Sequence, residues 1–250
     1  MSLAETWIRG PLAGSGTPVF CFPYAGGGAA AFGSWRSAAP AGLRILPVRL
    51  PGREDRISEP AARRIADLTE PLAEAVTEAA ADRPFAFFGH SVGALLAFEL
   101  ARELRRRGAA GPTHLFAAAC QPPDALPPTR LHDLPREGLV EALLRLGGTS
   151  DVVLTQPELL RLLEPTLRAD LALFELYDYD PEPPLACALT AVGGLRDERV
   201  SQHELAQWSR HTEGPFELLL VRGEHFFVES ARDELLELLA RELEPVQARA

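Results

Sequence analysis

A serine stands between two glycines in the pentapeptide Gly89-His90-Ser91-Val92-Gly93, where a short apolar run meets a stretch of helix-forming residues. This pattern between a strand and a helix is typical of a nucleophile elbow, a tight turn that exposes a serine oxygen at the top of a sheet. Glycine suits Gly89 and Gly93 because a Cβ would clash where the strand and the helix nearly touch. We therefore predict a strained backbone at Ser91 and a nucleophilic Oγ, rather than an ordinary turn that carries a serine.

A serine hydroxyl is a poor nucleophile and needs a base, which in turn needs an orienting acid. In a parallel sheet such groups lie on loops that follow the carboxyl ends of strands. Of the six histidines, His225 alone follows a long apolar strand directly and lies downstream of the serine. The others open a strand, lie in the long segment before the fifth strand, lie in or after a helix, or sit inside the elbow. His225 is thus the predicted base.

The acid is predicted to be Asp197, which follows an apolar strand and precedes His225. The order Ser91, Asp197, His225 is the order of serine, acid and histidine in hydrolases built on a parallel sheet. Three aspartates near the ends of a long intervening segment remain competitors, namely Asp124, Asp178 and, most seriously, Asp180.

Acyl transfer by a serine also needs two backbone N–H groups that stabilise the oxyanion. We predict Val92, directly after the nucleophile, and Ala25, which opens a glycine-rich loop after the first strand. Alternatives for the glycine run at 26–28 are a flexible turn, a phosphate loop or a dinucleotide loop. It lacks the Lys-Ser/Thr ending of a phosphate loop and the Gly-x-Gly-x-x-Gly pattern of a dinucleotide loop.

Strands must alternate with helices to bring these residues together, and the apolar pattern agrees. Strands are expected at 17–23, 44–50, 85–88, 114–120, 185–192 and 216–222, and helices at 29–39, 61–81, 94–107, 201–208 and 230–243. This alternation predicts the α/β class, with a mostly parallel twisted sheet and helices on both faces. Pro47 places the second strand at an edge or a bulge. The whole chain, 1–250, is expected to form one domain.

The alternation is interrupted between residues 121 and 184, where proline clusters flank short helical stretches at 136–146, 157–163 and 166–177. No strand is evident there. We predict a helical insertion that forms a lid over the sheet, because inserted helical segments commonly cover active sites.

Composition narrows the protein class. The hydrophobic fraction is 46% and the net charge is −10, which argues against a nucleic-acid partner. No apolar run is long enough for a membrane span, and the N-terminus lacks a signal-peptide pattern. Cys21, Cys120 and Cys187 are expected to be reduced core thiols of a cytoplasmic protein. The chain has no lysine, which excludes Ser-Lys and Schiff-base chemistry.

Several segments together resemble type II thioesterases, the discrete editing enzymes of polyketide and nonribosomal peptide assembly lines. The elbow alone is generic to α/β-hydrolases, whereas the joint occurrence of the segments is specific. Tyr24 stands where the family often has histidine, and Val92 where methionine is commoner; both positions contribute backbone amides. The matching segments besides the elbow are Phe22–Gly27, Leu50–Glu54, Leu167–Asp170 with Tyr177, and Gly223–Phe227.

The resemblance implies an α/β-hydrolase fold and hydrolysis of acyl groups from the phosphopantetheine arm of carrier proteins, by way of an acyl-enzyme on Ser91. It calls for no metal and no cofactor, and we expect a monomer that docks carriers transiently. Carriers are usually acidic, as this chain is, so local arginines would have to dock them. The candidates are Arg49, Arg53 and Arg56, or the cluster Arg105, Arg106 and Arg107.

Two other hypotheses remain open. A releasing or cyclising thioesterase, or a carboxylesterase, would use the same fold and the same serine chemistry. A non-catalytic carrier-binding protein would keep only the fold. The joint presence of Ser91, Asp197 and His225 argues against the second of these hypotheses.

Overall fold

A six-stranded sheet forms the centre of the protein. The computed structural model describes residues 2–147 and 156–247. The sheet order is β2-β1-β3-β4-β5-β6, and each neighbouring pair is parallel, which confirms the predicted sheet type. The strands are β1 (Thr17–Phe22), β2 (Leu43–Pro47), β3 (Ala86–His90), β4 (His114–Ala118), β5 (Ala188–Gly194) and β6 (Phe216–Val221).

Helices cover both faces of this sheet. They are α1 (Leu3–Trp7), α2 (Gly33–Ala38), α3 (Ala66–Ala80), α4 (Val92–Arg106), α5 (Arg136–Leu146), α6 (Pro157–Glu175), α7 (Gln202–Ala206), α8 (Phe227–Ser230) and α9 (Arg232–Gln247). Successive strand residues point to opposite faces, and they divide between two apolar cores. Phe20 and Phe87 pack in the core that contains α3 and α4, whereas Cys21 and Phe88 pack in the core that contains α9.

Strand β2 lies at an edge of the sheet, as Pro47 predicts. Proline has no N–H to donate to a further strand, so an edge is where it fits. The carbonyl of Pro47 still accepts a hydrogen bond from Arg9 N–H at 2.8 Å.

Strand β5 is shifted relative to the prediction: it begins at Ala188 rather than at residue 185, and it ends at Gly194 rather than at residue 192, so Gly193 and Gly194 belong to the strand and not to the following loop. Both glycines allow close packing. A Cβ on Gly193 would lie 2.4 Å from Leu205 Cδ1, and one on Gly194 would lie 2.7 Å from the Glu224 carbonyl oxygen. The glycine pair therefore reflects close contact with α7 and the loop after β6, whereas the sequence alone suggested a turn.

The segment between β4 and β5 contains the helices α5 and α6, joined by short helical turns and irregular chain, and residues 148–155 of it lie outside the described residues. The two helical stretches expected at 157–163 and 166–177 form one helix, α6, which continues through Pro165. A proline inside a helix removes one hydrogen bond and does not always end the helix. Another expected helix is shorter than its pattern, since α3 begins at Ala66 rather than at residue 61.

None of the described helices is both long and apolar enough to pass through a membrane. The three cysteines are free thiols, as expected from their apolar surroundings; Cys21 and Cys120 are buried and Cys187 is partly buried.

Candidate active site

Ser91 lies in the one-residue turn between β3 and α4. Its backbone has φ 55° and ψ −125°, which is the strained conformation that the elbow pattern predicts. The N–H of Ser91 donates to the carbonyl of Ala118 at 2.8 Å, and the Ser91 carbonyl accepts from Ala94 N–H at 2.8 Å. These bonds hold the serine backbone in place between two strand ends and the first turn of α4.

The elbow glycines are required by backbone contacts. A Cβ on Gly89 would lie 2.3 Å from the Gly93 carbonyl oxygen, and a Cβ on Gly93 would lie 2.3 Å from the Phe22 carbonyl oxygen. Both distances are far below a normal carbon–oxygen contact. The strand, the helix and the end of β1 therefore meet as closely as the sequence pattern predicts.

His225 and Asp197 form a hydrogen-bonded pair at the carboxyl ends of β6 and β5. Nδ1 of His225 lies 2.9 Å from Oδ2 of Asp197, and the Asp197 side chain is fully buried. The other carboxylate oxygen, Oδ1, accepts the backbone N–H groups of Arg199 and Val200 at 2.9 Å and 3.3 Å. The carboxylate is thus held by several donors and can orient the imidazole of His225.

Asp197 is kept ionised by these donors. Burial alone would raise its pKa, but the hydrogen bond and charge of His225, together with the N–H groups of Arg199 and Val200, outweigh burial and lower the pKa below its ordinary value. An ionised carboxylate behind Nδ1 favours the tautomer whose Nε2 is free to accept a proton from serine.

The competing aspartates lie elsewhere. Asp124 bonds a different histidine, His211, with Oδ1 2.9 Å from Nε2. The backbone carbonyl of Asp180 accepts a hydrogen bond from Arg102. Asp178 lines a separate pocket beside α3 and α6. The structure therefore places Asp197, and none of its three competitors, against His225.

Two backbone N–H groups next to Ser91 are available to an oxyanion. Within the described ranges, neither Ala25 N–H nor Val92 N–H donates to a protein acceptor. Ala25 is the second residue of a turn in which Gly27 N–H donates to the Tyr24 carbonyl at 2.9 Å. The carbonyl and N–H of one trans peptide point in opposite directions, so Ala25 N–H points away from this turn.

Ser91, His225, Ala25 and Val92 all line one cavity of about 240 Å³. No hydrogen bond joins Ser91 Oγ to the His225 ring among the residues that the structure describes. Such bonds are often loose in a free enzyme and tighten when substrate binds. Most of the remaining lining is apolar and comes from the segment between β4 and β5, namely Leu131, Leu143, Leu146, Leu167, Leu171 and Phe174.

His90 lies beneath the site and does not line the cavity. Its side chain is fully buried, and its ring packs edge-on against His225 with the centroids 5.6 Å apart. Burial, assisted by the charge of His225, lowers the pKa of His90 to about 3. His90 is therefore a neutral packing partner of His225, which agrees with its exclusion as the base.

Sequence reasoning did not identify the contacts of Asp170. This aspartate lies on α6, lines the cavity and is 1% exposed. It accepts hydrogen bonds from Gly26 N–H and from the Arg53 guanidinium. Asp170 and Arg53 both belong to segments that resemble the thioesterase pattern. That resemblance is the one feature of the sequence that could have indicated a role for them in the site.

Each of the six arginines expected to dock a carrier forms an ion pair with a carboxylate of the chain itself. Arg53 and Arg56 are each only 7% exposed, which contradicts their assignment to a docking surface. Arg49 pairs with Asp55. The cluster at the end of α4 is paired with glutamates, with Arg105 and Arg106 each 2.6 Å from Glu182 and Arg107 2.6 Å from Glu103. The side chains of Arg105, Arg106 and Arg107 are nevertheless 34%, 42% and 30% exposed, and Arg105 and Arg106 share the single carboxylate of Glu182, so this cluster stays a predicted docking site.

Metal-ligating side chains do not cluster in threes anywhere in residues 2–147 and 156–247. The candidate site consists of a serine, an oriented imidazole and two N–H groups at one end of an apolar cavity. This arrangement supports acyl transfer through a covalent serine intermediate.

A family model and two solved structures agree with this chemistry. The family described as "Thioesterase domain" matches residues 17–243. A relative from Brevibacillus parabrevis, named "Linear gramicidin dehydrogenase LgrE", is 38% identical, with the alignment covering 90% of this chain and 87% of the relative; its name describes a redox reaction and not thioester hydrolysis.

Two solved structures bear thioesterase names. The RedJ thioesterase from the prodiginine pathway of Streptomyces coelicolor has a TM-score of 0.86 at 36% identity, covering 94% of this chain and 96% of RedJ. The type II thioesterase BorB from the borrelidin cluster has a TM-score of 0.84 at 36% identity, covering 95% and 97%. These structures and the family match confirm the predicted fold, which is that of the α/β-hydrolases.

Proposed function

The chain belongs to the thioesterase family and is an acyl-thioester hydrolase, and from this premise we propose that it edits carrier-bound acyl groups through Ser91. The observation that carries the proposal is the shared cavity of Ser91 and His225, with Asp197 bonded behind His225. Two relatives carry the names of linear gramicidin and of the borrelidin biosynthetic cluster. Together with the resemblance to type II thioesterases, these names support a carrier protein of a biosynthetic assembly line as the partner.

In the proposed reaction, Ser91 Oγ attacks the thioester carbon while His225 Nε2 takes the serine proton. The N–H groups of Ala25 and Val92 stabilise the oxyanion of the tetrahedral intermediate. The intermediate collapses, the carbon–sulfur bond breaks, and the pantetheine thiolate leaves and takes the proton. Water, activated by His225, then attacks the acyl-enzyme, which releases a carboxylic acid and restores Ser91.

The apolar end of the cavity supports an aliphatic acyl group as the substrate. A volume of about 240 Å³ equals that of roughly eight water molecules, at ~30 Å³ each. Each methylene buried there contributes about 0.8 kcal/mol to binding. We propose that acyl chains of short to medium length fit the cavity, with the carbonyl beside Ser91.

The segment 121–184 is proposed to act as the lid of this cavity. Its residues Leu131, Leu143 and Leu171 contribute apolar lining to the cavity. A carrier would present the pantetheine thioester at the cavity mouth, and the protein is proposed to act there as a monomer in the cytoplasm, without nucleic acid.

The proposal is tested by incubating the protein with acyl-loaded carrier protein and following intact mass. A rise in protein mass equal to the acyl group, located on Ser91, and release of free acid are expected. The Ser91→Ala variant should lose at least 10³-fold in rate while remaining folded. The matched control is Ser58→Ala, which changes an exposed serine away from the cavity and should leave the rate unchanged.

Substrate comparison separates the other hypotheses. A simple oxygen ester of the same acyl group should be hydrolysed more slowly than the carrier thioester; the reverse order would identify a carboxylesterase. A cyclic product would identify a releasing enzyme. Unchanged turnover by Ser91→Ala would show that Ser91 is not the nucleophile and overturn the proposed function. Absence of turnover by the wild type would leave only a binding role.

A further inference from the structure

Arg53 and Asp170 form a buried ion pair between segments that are 117 residues apart in the chain. The guanidinium Nη2 lies 2.6 Å from Asp170 Oδ1, and Nη1 lies 2.7 Å from Oδ2. The two side chains are 8% and 1% exposed. Such a bidentate pair fixes the orientation of both groups, because arginine presents its donors in a rigid plane.

Both members of this ion pair form hydrogen bonds with the turn that contains Ala25. Asp170 Oδ2 also accepts the Gly26 N–H at 2.7 Å, and Arg53 Nη1 also donates to the Gly27 carbonyl at 2.8 Å. Gly26 has a φ of +78°, which the third position of a type II turn requires. The bond from Gly26 N–H to Asp170 holds the central peptide of this turn, and the bond from Gly27 N–H to the Tyr24 carbonyl holds the preceding peptide, which carries Ala25 N–H.

We propose that Asp170, held by Arg53, is a positioning residue for the oxyanion hole. It fixes the turn from Tyr24 to Gly27 so that Ala25 N–H faces the cavity next to Ser91. The proposal rests on the proposed function, since it assigns a role to the same oxyanion site. The gain is preorganisation: a donor that is already oriented needs no rearrangement when charge develops on the substrate oxygen.

The charge of Arg53 is needed for this arrangement. Asp170 lines the cavity in which the oxyanion forms, so its carboxylate alone would repel the developing negative charge. Arg53 offsets that charge at the same oxygen atoms that hold the turn. The pair thus supplies a strong acceptor for Gly26 N–H without adding net negative charge to the site.

The same contacts fix the middle of α6 against the core. Thr166 Oγ1 donates to the Gly52 carbonyl at 2.6 Å, and Leu167 and Asp170, one and four residues later, contact the turn itself. A Cβ on Gly26 would lie 2.7 Å from Leu167 Cδ2, so the helix touches the turn directly. Thr166 anchors α6 without contacting the turn, which makes it a matched control for Asp170.

The test compares a probe of the oxyanion with a probe of the ground state. Hexylboronic acid forms a tetrahedral anionic adduct on Ser91, whereas heptanamide, which is neutral, occupies the cavity without such an adduct. In Asp170→Asn, kcat for a hexanoyl thioester is expected to fall about tenfold or more with KM within twofold. The inhibition constant of hexylboronic acid should rise by the same factor, and that of heptanamide should not change.

Thr166→Val should leave both inhibition constants unchanged, even if it lowers the melting temperature. An equal loss of affinity for both probes in Asp170→Asn, or no loss for either, would overturn the proposal. If Asp170→Asn does not fold, Arg53→Lys decides the question, because lysine keeps the charge but cannot hold both Asp170 and the Gly27 carbonyl; the same selective loss is expected. Full activity of Asp170→Asn beside an inactive Ser91→Ala would overturn this inference alone.

Discussion

His225 Nδ1 lies 2.9 Å from Asp197 Oδ2, although the two residues are 28 positions apart and follow different strands. The strands β5 and β6 are parallel neighbours, so their carboxyl ends deliver both side chains to one edge of the sheet. A second pair, His211 and Asp124, has the same 2.9 Å separation. Neither residue of that second pair lines the cavity. Position, rather than the hydrogen bond itself, distinguishes the two pairs.

The two pairs provide a matched test of the acid. Asp197→Asn should reduce kcat by about 10³- to 10⁴-fold, because an amide favours the wrong tautomer of His225. Asp124→Asn makes the same chemical change beside His211 and should leave kcat within twofold. Steady-state kinetics on an acyl thioester measure both values, and equal rates for the two variants would refute the role of Asp197.

Leu171 and Leu162 on α6 provide a test of the acyl cavity. Leu171 lines the cavity, whereas Leu162 is 57% exposed. Leu171→Phe should fill space and lower kcat/KM for an octanoyl thioester about tenfold relative to an acetyl thioester, since each lost methylene contact costs about 0.8 kcal/mol. Leu162→Phe should leave this ratio unchanged. A ratio unaffected by Leu171→Phe would place the acyl chain elsewhere.

Acid should destabilise the fold through buried histidines. Burial lowers the pKa of His114 to about 4, from an ordinary value of 6.5. Below pH 6.5 the unfolded chain therefore binds a proton that the folded protein does not, and the free energy of unfolding falls as pH drops towards 4. This histidine contributes a slope of about 1.4 kcal/mol per pH unit in that window.

Replacing His114 should reduce this slope. The variant His114→Gln can keep a hydrogen bond to Thr190, which the wild-type Nε2 contacts at 2.8 Å. Urea unfolding between pH 6 and pH 4.5 measures the slope directly. His203→Gln, a change at an exposed position on α7, is the control and should leave the slope unaltered. A slope that His114→Gln does not reduce would contradict the prediction.

Gly93→Ala should both destabilise the fold and slow the reaction. The added Cβ would meet the Phe22 carbonyl oxygen at 2.3 Å and the Pro23 carbonyl oxygen at 2.6 Å, so the chain that leads to Ala25 must shift. Overpacking of this kind costs about 1–3 kcal/mol. Gly33→Ala, where nothing lies within 4 Å of the new Cβ, should leave stability unchanged or slightly raised. Thermal unfolding distinguishes the two variants.

Local pattern was enough to predict the sheet and most of its helices. Apolar runs followed by helix-forming stretches predicted the parallel arrangement, and Pro47 predicted the edge position of β2; the structure confirms both. The sequence pattern placed the ends of some strands and helices wrongly, because tertiary packing determines where those elements end. Gly193 and Gly194 looked like a loop because glycine favours turns, whereas close contact with Leu205 and Glu224 explains them.

The sequence by itself determined which residues could serve as nucleophile, base, acid and oxyanion donors, because each follows a strand in a fixed chain order and all parallel strands end at one edge. Only the tertiary structure decided which side chains meet across long separations. It paired Arg53 with Asp170 inside the fold, and so removed Arg53 from a docking surface. The physical reason is that ion pairs depend on the packing of distant segments, which no local periodicity specifies.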